Sequence, residues 1–163
     1  LRELTILPEA ETVNVESDKN LTLDLKGYKI TQNNEKFLVN NGIFKIMSSE
    51  DGGKIESNNG MLFENNNDFT IDNGTYNTTT SELMYKNNEN AVFTINDGDT
   101  YCSESTIMTN DGELNILGGS MRTTRTDTNR GPTNNMIENT NTINSHITTP
   151  VTIPKHRPEL MIH

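Results

Sequence analysis

A handful of side chains in this 163-residue chain could do chemistry, and their spacing limits which. Asp97-Gly98-Asp99 sets two carboxylates about one glycine, a fragment of a calcium turn. Neither the nonapeptide calcium repeat nor the twelve-residue helix-loop-helix site surrounds it. Asp97 and Asp99 are therefore the nominees for a cation, and no metal site or cofactor is assigned. Glycoside hydrolysis needs two facing carboxylates about 5–10 Å apart. Asp97 with Asp99, or Glu50 with Asp51, can be nominated, but any acidic chain offers such pairs by chance. A polysaccharide lyase needs clustered carboxylates and a basic residue to take the proton. Asp72 and Asp97 could come close, yet no Arg or Lys recurs beside them. No residue is assigned catalysis, and the expectation is a protein that is not an enzyme.

The remaining reactive residues are sparse. Cys102 is the single cysteine, so an internal disulfide and a Cys-based zinc site are excluded. With no histidine near it in sequence, it reads as a small side chain at a strand edge. His146, His156 and His163 stand ten and seven residues apart, which is not metal spacing. Three of the five arginines, Arg122, Arg125 and Arg130, fall within a polar stretch over 122–135. An excursion of this kind on a repeat protein projects from one face and is the candidate binding loop.

What must position these residues is set by composition and by a repeat. The net charge is −10, only 31% of residues are hydrophobic, and Ala occurs twice against 25 Asn and 23 Thr. Helix is disfavoured by that usage. The acidity argues against nucleic acid and anionic membrane surfaces as partners, and no apolar run is long enough to insert in a membrane.

Three beats recur along the chain. An apolar alternation runs into a glycine turn at Leu21-Thr22-Leu23, Phe44-Lys45-Ile46, Phe69-Thr70-Ile71, Phe93-Thr94-Ile95 and Leu114-Asn115-Ile116. A single large residue follows two or three positions past the glycine, at Ile30, Ile55, Tyr76, Tyr101 and Met121. An apolar pair then leads into a polar corner at Asn40, Asn65, Asn87, Asn110 and Asn139, spaced 25, 22, 23 and 29 residues apart. Each beat has the period and the β-branched or aromatic content of a short strand bounded by turn pairs.

Three short strands per repeat predict an all-β fold, a single-stranded parallel β-helix of about five to six coils of 22–29 residues. The Asn column is expected to hold corners, because stacked amides about 4.8 Å apart can hydrogen-bond to one another. Residues 1–163 read as one β-helix segment, a fragment of a longer solenoid. Residues 122–135 read as the excursion and 141–163 as a looser terminal coil, interrupted by Pro150, Pro154 and Pro158.

The run Asn20-Leu21-Thr22-Leu23-Asp24-Leu25-Lys26-Gly27-Tyr28-Lys29-Ile30, with Asn41-Gly42-Ile43-Phe44-Lys45-Ile46 and Gly52-Gly53-Lys54-Ile55 after it, resembles the opening coils of right-handed β-helix surface proteins of low-GC bacteria. These belong to the broad pectin-lyase-like superfamily, and the resemblance covers about residues 4–121. It implies a right-handed solenoid and a secreted or wall-attached, adhesin-like role. The partner implied is a glycan or a surface protein, with further coils or a capping element at either end. Polysaccharide lyases and phage tailspikes are the enzymatic cousins, so the alternative is a piece of a carbohydrate-active protein whose catalytic coils lie elsewhere.

Overall fold

The structure, a computed structural model, describes residues 2–5, 11–79, 83–103, 106–123 and 137–145. Arginines 125 and 130, the three histidines, the three prolines of the tail and most of the 122–135 excursion lie outside them. Strand β1 (Arg2–Thr5) precedes a first full coil made of β2 (Val13–Val15), β3 (Asn20–Asp24) and β4 (Tyr28–Gln32), and β4 pairs with β1 one coil back. Next come β5 (Lys36–Asn40), β6 (Ile43–Met47) and β7 (Lys54–Ser57), then β8 (Met61–Asn65), β9 (Asp68–Ile71) and β10 (Thr75–Thr78). The chain continues with β11 (Tyr85–Asn87), β12 (Val92–Ile95) and β13 (Asp99–Cys102), followed by β14 (Met108–Asn110), β15 (Glu113–Ile116) and β16 (Ser120–Thr123). It ends, among the described residues, with β17 (Ile137–Asn139) and β18 (Thr142–Ser145).

These strands form three parallel sheets, ordered β1-β4-β7-β10-β13-β16, β2-β5-β8-β11-β14-β17 and β3-β6-β9-β12-β15-β18, so every third strand pairs. The fold is an all-β parallel solenoid. Its corner residues Asn40 to Asn139 measure out about four turns, slightly fewer than the five to six coils expected from the sequence. The larger figure counted outlying pieces at both ends, parts of which lie outside the described residues. Among the described residues no helix is long and apolar enough to cross a membrane.

Five inward slots per coil fill the interior. In the coil from β8 to β10 they hold Leu62, Phe63, Phe69, Ile71 and Tyr76, all essentially inaccessible to solvent. The same slots hold Phe37, Leu38, Phe44, Ile46 and Ile55 one coil before. Rings stack from coil to coil: Phe63 on Tyr85 at 5.4 Å and Phe69 on Phe93 at 4.8 Å between centroids.

The second beat differs from expectation in one coil. Tyr76 pairs with Thr100, not Tyr101, and Thr100 with Met121, so the inward column is Ile30, Ile55, Tyr76, Thr100 and Met121. Because strand side chains alternate faces, this one-residue difference turns Tyr101 to the outer face. Thr100 places a hydroxyl in an apolar slot, and the buried Tyr85 hydroxyl meets it at 3.1 Å. Cys102 is fully buried rather than at an edge, in a column with Gln32, Ser57 and Thr78 that lines a second corner.

Candidate functional site

The asparagine corners form a ladder along one edge of the interior. Asn40, Asn65, Asn87 and Asn110 are fully buried, and each side-chain amide donates to the next asparagine's Oδ1 at 2.6–2.9 Å, ending on Asn139. Each Nδ2 also meets backbone carbonyls. That of Asn65 donates to Asn67 and Val92, and that of Asn87 to Ala91 and Glu113. An asparagine can do this because its amide supplies two donors and an acceptor at once. Beside it runs an outer column, in which Asn66 donates to Asn41 at 2.9 Å and Asn88 to Asn66 at 2.5 Å, both solvent-exposed. The inner ladder is therefore structural, its polar atoms consumed by the fold.

The outer faces carry ion pairs between coils. Glu64 lies between Lys36 at 2.6 Å and Lys86 at 3.7 Å. Glu56 meets Lys54 at 2.5 Å and Lys29 at 3.7 Å, and Asp72 meets Lys45 at 2.5 Å. Burial works against the Glu64 carboxylate, but hydrogen bonds from Lys36 and Asn88 outweigh it and hold its pKa below the ordinary value. The Lys54 hydrogen bond does the same for Glu56, the Lys45 and Asn96 bonds for Asp72, and the Ser49 hydroxyl for Asp24. A depressed folded pKa contributes stability that is complete above the unfolded value and lost as pH falls through the folded one. The solenoid is expected to hold its melting temperature from pH 7 down to about pH 5 and to lose it progressively below. In Glu64→Gln that acid-side slope should be shallower, and an unchanged slope would show that Glu64 is not among its causes.

The nominees for chemistry converge on one place. Between the third sheet and the first, the turn glycines Gly53, Gly74, Gly98 and Gly119 stack in a column, with Thr75, Asp99 and Ser120 N–H donating to Gly53, Gly74 and Gly98 carbonyls at 2.8–3.0 Å. Gly98 has φ +116°, and a Cβ there would lie 2.9 Å from the Gly74 carbonyl oxygen. The column thus admits no side chain and leaves an open furrow of about 270 Å³ on the solenoid's flank. Glu50 and Asp51 from one coil and Asp97 and Asp99 from two coils on stand along it, with Ser48, Asn73 and Thr75. Tyr28 precedes Lys29, which pairs with Lys54, so it stands level with Gly53 at the head of the glycine column.

The furrow brings Asp97 and Asp99 together with Glu50 and Asp51, which sequence alone offered only as separate pairs. Asp97 accepts from Gly98 N–H at 2.8 Å, and Asp99 accepts from the Ser120 hydroxyl. Asp72 is not part of it: its carboxylate is taken up by Lys45 and by Asn96 at 2.7 Å. Among the described residues no three His, Cys, Asp or Glu side chains converge as a metal site. Arg122 stands in β16, exposed and opposite Tyr101. The offset between each glycine and the strand after it signals the glycine column in the sequence, but not which carboxylates the stacked coils bring to its walls.

Comparison of the chain with protein-family models, with curated proteins and with solved structures finds no match.

Proposed function

We propose that this chain is an extracellular structural or adhesive right-handed β-helix that binds a glycan or surface-protein partner along its flank and performs no catalysis. The observation that supports this most is the furrow. It is open, floored by backbone whose carbonyls are already bonded, and walled by hydroxyl, amide and carboxylate groups at coil spacing. Such a surface suits the hydroxyls of a linear glycan laid parallel to the solenoid axis, each coil advancing about 4.8 Å. The filled interior and the coil-to-coil ladders make the rod stiff, so binding costs little ordering of the protein.

A glycan array probed with the whole chain tests the reading, together with lyase and hydrolase assays on acidic polysaccharides. Binding to a defined glycan class should fall at least about tenfold in Asp51→Ala/Asp97→Ala, the loss of roughly one to two hydrogen bonds to charged groups. The variant should melt with the wild type, since both side chains are exposed. No binding to any glycan, or binding indifferent to the substitutions, would remove the furrow from the account. Turnover abolished by Asp97→Ala or Asp72→Ala would replace the adhesive reading with an enzymatic one.

A further inference from the structure

Three Asn-Gly pairs occur in turns, Asn41-Gly42, Asn59-Gly60 and Asn73-Gly74. This dipeptide is prone to a self-reaction. The glycine nitrogen, losing its proton to water, attacks the asparagine Cγ. The bond from Cγ to the side-chain nitrogen breaks, and ammonia leaves with the proton. Water then opens the cyclic imide at either carbonyl, giving aspartate or an isoaspartyl link whose backbone is one methylene longer. No oxidant or other reagent is required.

The structure treats the three sites differently. Gly42 N–H is engaged, donating to the buried Asn40 Oδ1 at 3.1 Å, so the nucleophile of the first pair is tied into the corner ladder. In the third pair Asn73 Oδ1 is held by Ser48 N–H from the coil before, at 2.6 Å, so the side chain must release that bond before it can turn. In the second pair the Asn59 side chain is exposed and held only through Nδ2, by a 3.2 Å bond to the Asn33 carbonyl. Among the described residues neither Gly60 N–H nor Gly74 N–H meets an acceptor, so what separates Asn59 from Asn73 is exposure and the weaker hold on its side chain.

We infer that Asn59-Gly60 is the self-modification site of this solenoid, converting to aspartyl and isoaspartyl forms while Asn41 and Asn73 are protected by the fold. The site has structural weight. The Asn59 carbonyl accepts from Gln32 Nε2 at 2.7 Å and from the Ser57 hydroxyl at 2.6 Å, and the Gly60 carbonyl accepts from the same hydroxyl at 2.9 Å. Gln32 and Ser57 are fully buried in the second corner column. An added methylene between Asn59 and Gly60 displaces those acceptors, so isoaspartyl formation loosens this corner and leaves the asparagine ladder alone.

The test is prolonged incubation of the folded chain at mildly alkaline pH in isotopically heavy water, followed by peptide mapping. Conversion is read from the mass change of replacing the amide by a hydroxyl and from oxygen-label uptake. Asn59 should convert about five- to tenfold faster than Asn41 or Asn73, because reaction there gives up only an exposed 3.2 Å bond, against the bond of Gly42 N–H to the buried Asn40 and the 2.6 Å bond that holds Asn73. In the chain held unfolded by denaturant the three rates should draw together, because all share the same dipeptide. Equal rates in the folded chain, or faster conversion at Asn41 or Asn73, would overturn the assignment. The variant Gly60→Ala is unsuitable, because a Cβ there would lie 2.0 Å from the Glu35 carbonyl oxygen; Asn59→Gln is the conservative control and should abolish the modified peptide.

Discussion

Phe63→Ala should lower the unfolding free energy by about 3–5 kcal/mol, the cost of removing a large ring from a core that cannot close over the hole. Phe63 is fully buried and touches four rings: Phe37, Phe69, Tyr76 and Tyr85, with centroids at 6.3, 4.8, 5.7 and 5.4 Å. Strand spacing is fixed by backbone hydrogen bonds, so the coils above and below cannot approach to refill the space. In a solenoid each coil also packs only against its neighbours. The melting temperature should drop by roughly 6–20 °C at the scale of this chain. Phe63→Leu, which keeps part of the volume, should lose less than Phe63→Ala. A loss below about 1 kcal/mol in Phe63→Ala would mean that the ring column is not the core's main support.

That column was legible because five apolar slots recur at solenoid spacing, and Phe44, Phe69 and Phe93 pair in the register their triplets suggested. The same periodicity explains the low apolar content: each coil encloses only five inward positions, and the rest of its residues make corners or face water. Tyr101 shows where pattern reading fails. Size favours Tyr101 for the inward slot, yet Ile55, Tyr76 and Met121 each stand two residues past Gly53, Gly74 and Gly119, and two past Gly98 is Thr100. Backbone position therefore prevailed over hydrophobicity, and the Tyr85 hydroxyl satisfies the resulting threonine. The apolar pairs hide a second departure, since Phe37 and Leu38 are both buried and alternation breaks at that corner. The furrow was not legible, because its walls come from coils far apart in sequence and its floor is defined by side chains that are missing. Glu50 and Asp97 become neighbours along one groove only once the glycine turns are stacked.

Asn87→Asp should cost about 3–5 kcal/mol at neutral pH, although it changes one side-chain NH2 into an oxygen. Asn87 accepts from Asn65 Nδ2 at 2.8 Å, and an Asp there could accept the same bond. Its Nδ2, however, donates to three acceptors, Asn110 Oδ1 at 2.7 Å, the Glu113 carbonyl at 3.0 Å and the Ala91 carbonyl at 3.3 Å. A carboxylate oxygen in that place would face all three in a site without solvent. Turning the Asn110 amide over would not help, because its Nδ2 is bonded to Asn139, to the Gly112 carbonyl at 3.0 Å and to the Thr142 carbonyl at 3.3 Å. Burial and these oxygens raise the new carboxyl's folded pKa above its unfolded value of about 3.9, since the protonated form can donate to Asn110. The sign follows: the penalty is least below about pH 4, grows as pH rises, and levels off above the folded pKa. The wild type behaves oppositely, weakening in acid as Glu56, Glu64 and Asp72 protonate, so the quantity to measure is the stability difference between variant and wild type across pH 4–8. Asn66→Asp, in the exposed outer column, should differ from wild type by no more than about 0.5 kcal/mol throughout. A pH-independent difference at position 87, or an equal loss at position 66, would show that the inner ladder's donors do not hold the solenoid's corners.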